Sequence, residues 1–120
     1  MNKIILMLLL MISVPAMASV GYVKGKVQYI RVHDKTAHSS GWAPPIFWFT
    51  LQGVSSAKEC GVWNGNVLFV MDTDQAYSMI LGAYMADKEI SVRFDDTLRA
   101  PSAKYCKATH ITTGSPPPLF

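Results

Sequence analysis

The block that runs from Cys60 to Cys106 constrains the fold of this chain most strongly. It contains a short apolar run at residues 67–71, a longer apolar run at 74–86 and a strictly alternating run at 90–94. A short apolar run and strict alternation both favour β-strands, whereas an apolar run of more than ten residues favours a helix. The block therefore predicts strand, helix and strand, with a cysteine at each end.

Residues 1–18 are typical of a secretory signal peptide. Lys3 supplies the positive start, residues 4–12 the apolar core, and a small-x-small cleavage site closes the segment. A transmembrane anchor is the alternative, but the apolar run is shorter than the ~20 residues that a span needs, and Pro15 interrupts its end. We expect a secreted or periplasmic chain without membrane insertion. It would begin at Ser19 and have 120 − 18 = 102 residues, enough for one small domain.

Export would place the two cysteines in an oxidising compartment. In an oxidising compartment they predict one disulfide between Cys60 and Cys106, with two free buried thiols as the alternative. Closing a loop of this length stabilises by ~4 kcal/mol in the chain-entropy model. That is a large share of the ~5–15 kcal/mol by which a folded domain is stable.

The charge balance argues against a nucleic-acid partner. Removal of Lys3 leaves 10 basic and 8 acidic side chains, a net charge of +2, and the basic residues are scattered along the chain. A groove for single-stranded nucleic acid would combine stacking residues with more lysine and arginine.

The first predicted strand, residues 22–33, changes phase along its length. One face carries Val23, Gly25, Val27 and Tyr29, and after Tyr29 the apolar positions move to Ile30 and Val32. A two-residue period that slips by one position indicates a bulge. A strand that changes face in this way can serve two sheets, which is typical of a barrel.

Four further strands and one helix follow. Residues 46–51 form the second strand, with Phe47, Phe49 and Leu51 inward and Trp48 and Thr50 on the other side. Residues 34–45 and 95–103 read as loops, 104–113 as the fifth strand, and 114–120, with three consecutive prolines, as an extended disordered tail. The order β-β-β-α-β-β predicts a mainly β domain over residues 19–113, a five-stranded OB-fold barrel. An open α+β sheet with one covering helix is the alternative.

The predicted helix carries an unusually wide apolar face. Asp72 or Thr73 can cap it, with Gln75 completing a capping box after Asp72. Its apolar side chains cover an arc of about 200°, twice the roughly 100° of an ordinary amphipathic helix. Either loops roof the excess apolar surface, or part of it packs against another subunit.

Residues that catalyse reactions or bind metals do not occur in the required arrangements. His33, His38 and His110 lack a paired-ligand spacing, and no Gly-x-Ser-x-Gly motif surrounds a serine. Asp95 and Asp96 are adjacent, so their side chains would diverge in a strand, whereas acid–base catalysis needs convergent carboxylates. We expect a chain that is not an enzyme and uses no cofactor or metal.

Aromatic side chains with polar neighbours are better candidates for function. One group lies in the loop between the first two strands and another just before the third strand. The residues concerned are His38, Ser39, Ser40, Trp42, Trp63 and Asn64. OB-folds bind oligosaccharides or oligonucleotides through this loop and the adjoining sheet face. Aromatic rings beside hydroxyl and amide groups suit sugars, so we predict a glycan site here, with ordinary packing of each tryptophan as the alternative.

The segments between the cysteines resemble a known family. The runs NVLFV (66–70), QAYSMILGAY (75–84) and KEISVR (88–93) are similar to the binding subunits of AB5 toxins of the subtilase-cytotoxin and pertussis-like type, and to related small secreted OB-fold proteins. The resemblance covers roughly residues 21–113. It implies a B subunit that assembles as a ring pentamer, recognises host-surface glycans, often sialylated ones, and leaves catalysis to a separate toxin A subunit.

The opening GYVKGKV (21–27) is similar to the start of those B subunits but departs from them at one position. Where they carry a serine that contacts sialic acid, this chain has Lys24. A lysine can contact a carboxylate, so Lys24 joins the candidate ligand residues.

Two functions are therefore expected from the sequence. The first is a secreted, non-enzymatic module that binds glycans as a homo-oligomer. The alternative is a monomeric periplasmic protein that binds or inhibits a protein partner through a barrel edge or the proline-rich tail.

Overall fold

The computed structural model describes residues 19–34 and 40–114. The predicted signal peptide at 1–18 and all but Gly114 of the predicted tail lie outside the described residues. Within the described ranges, no helix is long and apolar enough to cross a bilayer.

The described chain is mainly β with one α-helix, as the sequence predicts. Its elements are β1 (Val20–Val32), a short 3-10 helix (Ser40–Trp42), β2 (Phe47–Leu51), β3 (Val62–Trp63), β4 (Asn66–Met71), α1 (Asp74–Met85), β5 (Glu89–Arg99) and β6 (Cys106–Thr113). The prediction of five strands misses β3, which at two residues is too short to show a period of its own. The predicted loop at 34–45 contains the 3-10 helix.

The prediction of a loop starting at Asp95 is wrong, because β5 continues through Asp95 and Asp96 to Arg99. Two contacts hold this extension: the Asp96 amide donates to the Ser19 carbonyl at 2.9 Å, and Arg99 pairs with Cys106 of β6. The Arg99 side chain also donates to the carbonyls of Asp96, Ala103 and Glu59 at 2.7, 3.3 and 3.0 Å. Pairing with distant parts of the chain here overrides the polar local sequence.

One strand, β1, pairs with two neighbours along its length. Its first half, from Val20 to Lys26, runs antiparallel to β5, and its second half, from Val27 to Val32, runs antiparallel to β2. The register slips between Val27 and Tyr29, so the predicted phase change exists but comes earlier than expected. Gln28 lies at the slip. Its Oε1 accepts hydrogen bonds from Asn66 Nδ2 at 2.6 Å and from Thr50 Oγ1 at 3.3 Å.

The remaining pairings connect the sheet further. β2 pairs antiparallel with β4, β5 pairs antiparallel with β6, and β4 pairs in parallel with β6 through Phe69–Cys106 and Val70–Lys107. Each of the five strands β1, β2, β4, β5 and β6 therefore pairs with two others of this set, and β4 also pairs with the edge strand β3.

The core lies on one face of the strands, and the inward positions predicted for β2 are confirmed. Phe47, Phe49 and Leu51 pack with Phe69 and Phe94 in the main cluster. A second cluster, built on Trp48, Leu68 and Val70, lies on the opposite face. All five residues of β2 are consequently buried, Trp48 and Thr50 included, which period-two alternation alone does not predict.

The helix α1 begins at a Thr73 cap, whose side-chain oxygen accepts the Ala76 amide at 3.2 Å. Only Ala76, Ile80 and Ala83 of the helix are buried. Met79, Tyr84 and Met85 remain 39%, 52% and 77% exposed, so much of the wide apolar face points away from the core.

The predicted disulfide is confirmed. Cys60 and Cys106 are bonded across a sequence separation of 46 residues, and both are buried. The bond joins the segment before β3 to the start of β6. The Gly61 amide, next to Cys60, donates to the Lys104 carbonyl at 2.9 Å and holds the same two segments together.

Two glycine-to-alanine substitutions should have opposite effects on stability. A Cβ at Gly61 would lie 2.5 Å from the Lys104 carbonyl oxygen, whereas a Cβ at Gly82 of α1 meets open space. We expect Gly61→Ala to lower the free energy of unfolding by ~1–3 kcal/mol. Gly82→Ala should raise it by ~0.5–1 kcal/mol, because alanine loses less backbone entropy in a helix. Urea unfolding of both variants checks this, and equal midpoints would contradict the packing at Gly61.

Candidate functional site

Aromatic side chains surround an open concavity of about 220 Å³ on the outer face of β2 and β4, here named the aromatic cavity. Its lining residues are Arg31, His33, Trp42, Trp48, Trp63, Leu68 and Tyr105. The volume lies below the ~300–1,000 Å³ of pockets that engulf a drug-sized ligand. The cavity is therefore suited to one ring or a short strip of a larger ligand.

The floor of the aromatic cavity is built by paired strands. Arg31 of β1 lies directly opposite Trp48 of β2, and Trp48 lies opposite Val70 of β4. The Arg31 guanidinium carbon lies 5.0 Å from the Trp48 ring centroid and 5.4 Å from that of Trp63. Both distances are within the ~6 Å of a cation–π contact. The two indoles hold the guanidinium at the cavity.

A hydrogen bond fixes the back of the cavity. Trp48 Nε1 donates to His33 Nε2 at 3.2 Å, and the His33 ring centroid lies 5.7 Å from that of Trp42. An indole N–H is a donor only, so His33 Nε2 accepts through its lone pair. This bond therefore requires the imidazole to be neutral, with its proton on Nδ1.

The walls come from segments outside the main strands. The 3-10 helix carries Trp42, which meets Tyr105 edge-on with ring centroids 6.2 Å apart. The short strand β3 carries Trp63, whose ring centroid lies 4.8 Å from that of Trp48 and 6.1 Å from that of Tyr29. The rings of Tyr29, Trp63 and Trp48 are thus in successive contact, as are those of Trp42 and Tyr105. His33 joins the two groups, because it contacts both Trp48 and Trp42.

The charge at the cavity is positive. Among the described lining residues, Arg31 carries the one permanent charge and no carboxylate is present. Lys104 adds a second cation close by, with its Nζ 5.3 Å from the Tyr105 ring centroid. The surface therefore combines π-faces with cationic hydrogen-bond donors, which suits a ligand rich in oxygen acceptors.

The structure unites some of the predicted ligand residues and separates others. Trp42 and Trp63 lie in the aromatic cavity, whereas Asn64 occupies the exposed turn between β3 and β4 and does not line it. His38 and Ser39 lie outside the described residues, and Ser40 is described only as the first residue of the 3-10 helix. The predicted involvement of all these residues in binding stays a prediction.

Lys24 lies on a different surface from the tryptophans. It lines a second concavity, of about 540 Å³, whose other residues are Lys26, Asp87, Lys88, Glu89, Thr113 and Gly114. Here Lys26 Nζ and Asp87 Oδ2 form an exposed ion pair at 3.1 Å. A ligand on Trp42 and a ligand on Lys24 would therefore use separate sites.

The sequence prediction missed Arg31, His33, Leu68 and Tyr105 of the aromatic cavity. One signal for the first two was present: once the apolar positions move to Ile30 and Val32, Arg31 and His33 share the opposite face. Nothing in the local sequence shows that this face meets Trp48, because that contact depends on the pairing of β1 with β2.

Comparison with known proteins identifies no relative: no family model, curated protein or solved structure matches the chain. A metal site is also not evident, since no group of three or more His, Cys, Asp or Glu side chains in the described ranges is placed to hold an ion.

Replacing Trp48 by phenylalanine tests the hydrogen bond at the back of the cavity. Trp48→Phe keeps an aromatic ring but removes the N–H group that donates to His33. Because the bond is partly buried, its loss should lower the free energy of unfolding by ~0.5–1.5 kcal/mol in addition to the effect of the smaller ring. Trp63→Phe, a change of the same size on the cavity wall, is the matched control. Urea unfolding should show the larger loss for Trp48→Phe, and equal losses would contradict a stabilising Trp48–His33 bond.

Proposed function

We propose that this chain is a secreted, non-enzymatic binding module with an OB-like fold that recognises glycans through the aromatic cavity and acts as a homo-oligomer. The observation that carries the proposal is the convergence of Trp42, Trp63 and Tyr105 with Arg31 on one open concavity.

The strand pairings support the OB-like barrel. Following them from strand to strand gives the circuit β1–β2–β4–β6–β5–β1, with β3 as an edge addition. α1 lies between β4 and β5 in the chain, and β4 and β6 form the one parallel pair among the described strands. A five-stranded Greek-key barrel with a long, bent first strand fits this connectivity better than an open sheet does.

The chemistry of the cavity favours sugars. A sugar ring presents C–H groups on its faces and hydroxyl groups on its rim. Trp42 and Tyr105, which line the cavity, can stack on the C–H groups, and Arg31 supplies N–H donors for the rim. A cavity of about 220 Å³ takes a terminal sugar residue while the rest of the glycan extends into solvent.

The surface of α1 supports self-association. Tyr84, which is 52% exposed, lines a groove of about 380 Å³ between β1 and α1. Its lining residues are Gln28, Tyr29, Ile30, Val32, Tyr77, Leu81 and Tyr84. Exposed aromatic and aliphatic side chains grouped in this way are typical of protein–protein contacts. In the B-subunit assembly that we propose by resemblance, this face packs against a neighbouring copy in a ring of five.

The buried Cys60–Cys106 disulfide supports export, because such bonds persist in oxidising compartments. In the toxin form of the proposal, a separate secreted A subunit supplies the catalytic activity and this chain supplies attachment to host-surface glycans.

Glycan-array binding of the mature chain tests the ligand. We expect binding above background and a loss of about tenfold or more in affinity for Trp42→Ala, equivalent to ~1.4 kcal/mol. Tyr22→Ala is the control, since Tyr22 is an exposed aromatic residue that does not line the cavity. A folded protein that binds no glycan, or an equal loss in both variants, would contradict the proposed site.

Light scattering at micromolar concentration tests the oligomer. We expect an assembly larger than a monomer that dissociates in Tyr84→Asp, because a charge in an apolar contact is strongly unfavourable. Leu98→Asp, which changes an exposed residue on β5 outside the groove, should leave the assembly intact. A strictly monomeric wild type would favour the monomeric partner-binding alternative.

A further inference from the structure

We propose that the aromatic cavity also binds residues 115–120 of a second copy of this chain, so that the segment Ser-Pro-Pro-Pro-Leu-Phe acts as a ligand in trans. The inference concerns the same cavity but does not depend on glycan binding, because it follows from the chemistry of the segment and from its reach.

The composition of the segment matches the lining of the cavity. Three consecutive prolines favour the polyproline II conformation, which has no internal hydrogen bonds and therefore leaves its carbonyl groups available. Proteins recognise such segments on aromatic-lined grooves, where proline rings pack on aromatic faces and side-chain N–H groups donate to the carbonyls. Trp42, Trp63 and Tyr105 supply the faces here.

Arg31 supplies the donors. Its guanidinium is held over Trp48 and Trp63, and no hydrogen bond or ion pair to another described residue uses it. A guanidinium has five N–H groups, and stacking on an indole face does not consume them. They remain able to donate to the carbonyl oxygens of a proline-rich strip lying across the cavity.

The reach of residues 115–120 favours binding to the cavity of a second copy. Residue 115 follows Gly114 at the far end of β6, whereas Tyr105, on the cavity wall, precedes the near end of β6 at Cys106. The eight residues of β6 extend over ~26 Å at ~3.3 Å per residue. Six residues span ~19 Å as polyproline II and ~21 Å when fully extended. Residues 115–120 therefore fall short of Tyr105, the cavity residue next to β6, in their own chain.

Titration with a peptide tests this directly. The recipient is the ¹⁵N-labelled full mature chain carrying Pro116→Ala, Pro117→Ala and Pro118→Ala, in which the resident segment is weakened as a competitor. A synthetic peptide of residues 114–120 should shift the indole N–H resonances of Trp42 and Trp63 in a saturable way. The same peptide with alanine at the three proline positions should bind at least tenfold more weakly, and the Arg31→Ala recipient should bind the native peptide at least tenfold more weakly.

The unsubstituted chain provides the second arm. Its Trp42 and Trp63 indole resonances should move with protein concentration, as an intermolecular contact requires, and the triple-alanine chain should show no such movement. Absence of a peptide-induced shift up to millimolar concentration would overturn the proposal. A wild-type shift that is independent of concentration would overturn the trans arrangement, because the segment would then reach its own cavity. A negative glycan array leaves both readouts unaffected, so the failure of one proposal is distinguishable from the failure of the other.

Discussion

The burial of β2 and β4 on both faces is the constraint on which the rest of the structure depends. Their inner side chains, Phe69 among them, form the core with Phe94, and their outer side chains are also removed from water. A strand that is buried on both sides in a small domain needs a second layer of side chains on its outer face. Trp42, Trp63 and Tyr105 provide it, packed on Trp48, Leu68 and Val70. The aromatic cavity is the gap that this incomplete outer layer leaves.

The same constraint explains the polar contacts beneath the outer layer. Thr50 is fully buried, and a buried hydroxyl without a partner costs ~1–3 kcal/mol. Its partner is the Gln28 side chain at the bulge of β1, which also accepts from Asn66 at the start of β4. One amide oxygen thus joins three strands at the point where β1 leaves β5 and turns to β2. Gln28 therefore both satisfies the buried Thr50 and lies where β1 changes its pairing partner.

Features that depend on local pattern could be predicted from the sequence. They include the β-rich class with one helix, the inward faces of Phe47 and Phe49, the slip in β1 and the disulfide. Features that depend on which strands meet could not. The extension of β5 past Asp95 requires β6 beside it. The same holds for the candidate site. Trp42 and Trp63 could be predicted from their residue type and polar neighbours, whereas Arg31 could not, because its place at the cavity depends on contacts with Trp48 and Trp63.

The parallel pairing of β4 with β6 has a consequence for how the chain folds. Phe69 and Cys106 are separated in the chain by α1 and β5, so their pairing is a non-local closure of the kind that slows folding. The sulfur that bonds to Cys60 belongs to the same Cys106. In the oxidised chain the Cys60–Cys106 bond already tethers the two ends of this long loop. The entropy of closing the loop is then lost in the unfolded ensemble instead of at the folding barrier. Early formation of this bond would thereby turn the pairing of β4 with β6 into a short search near a fixed anchor.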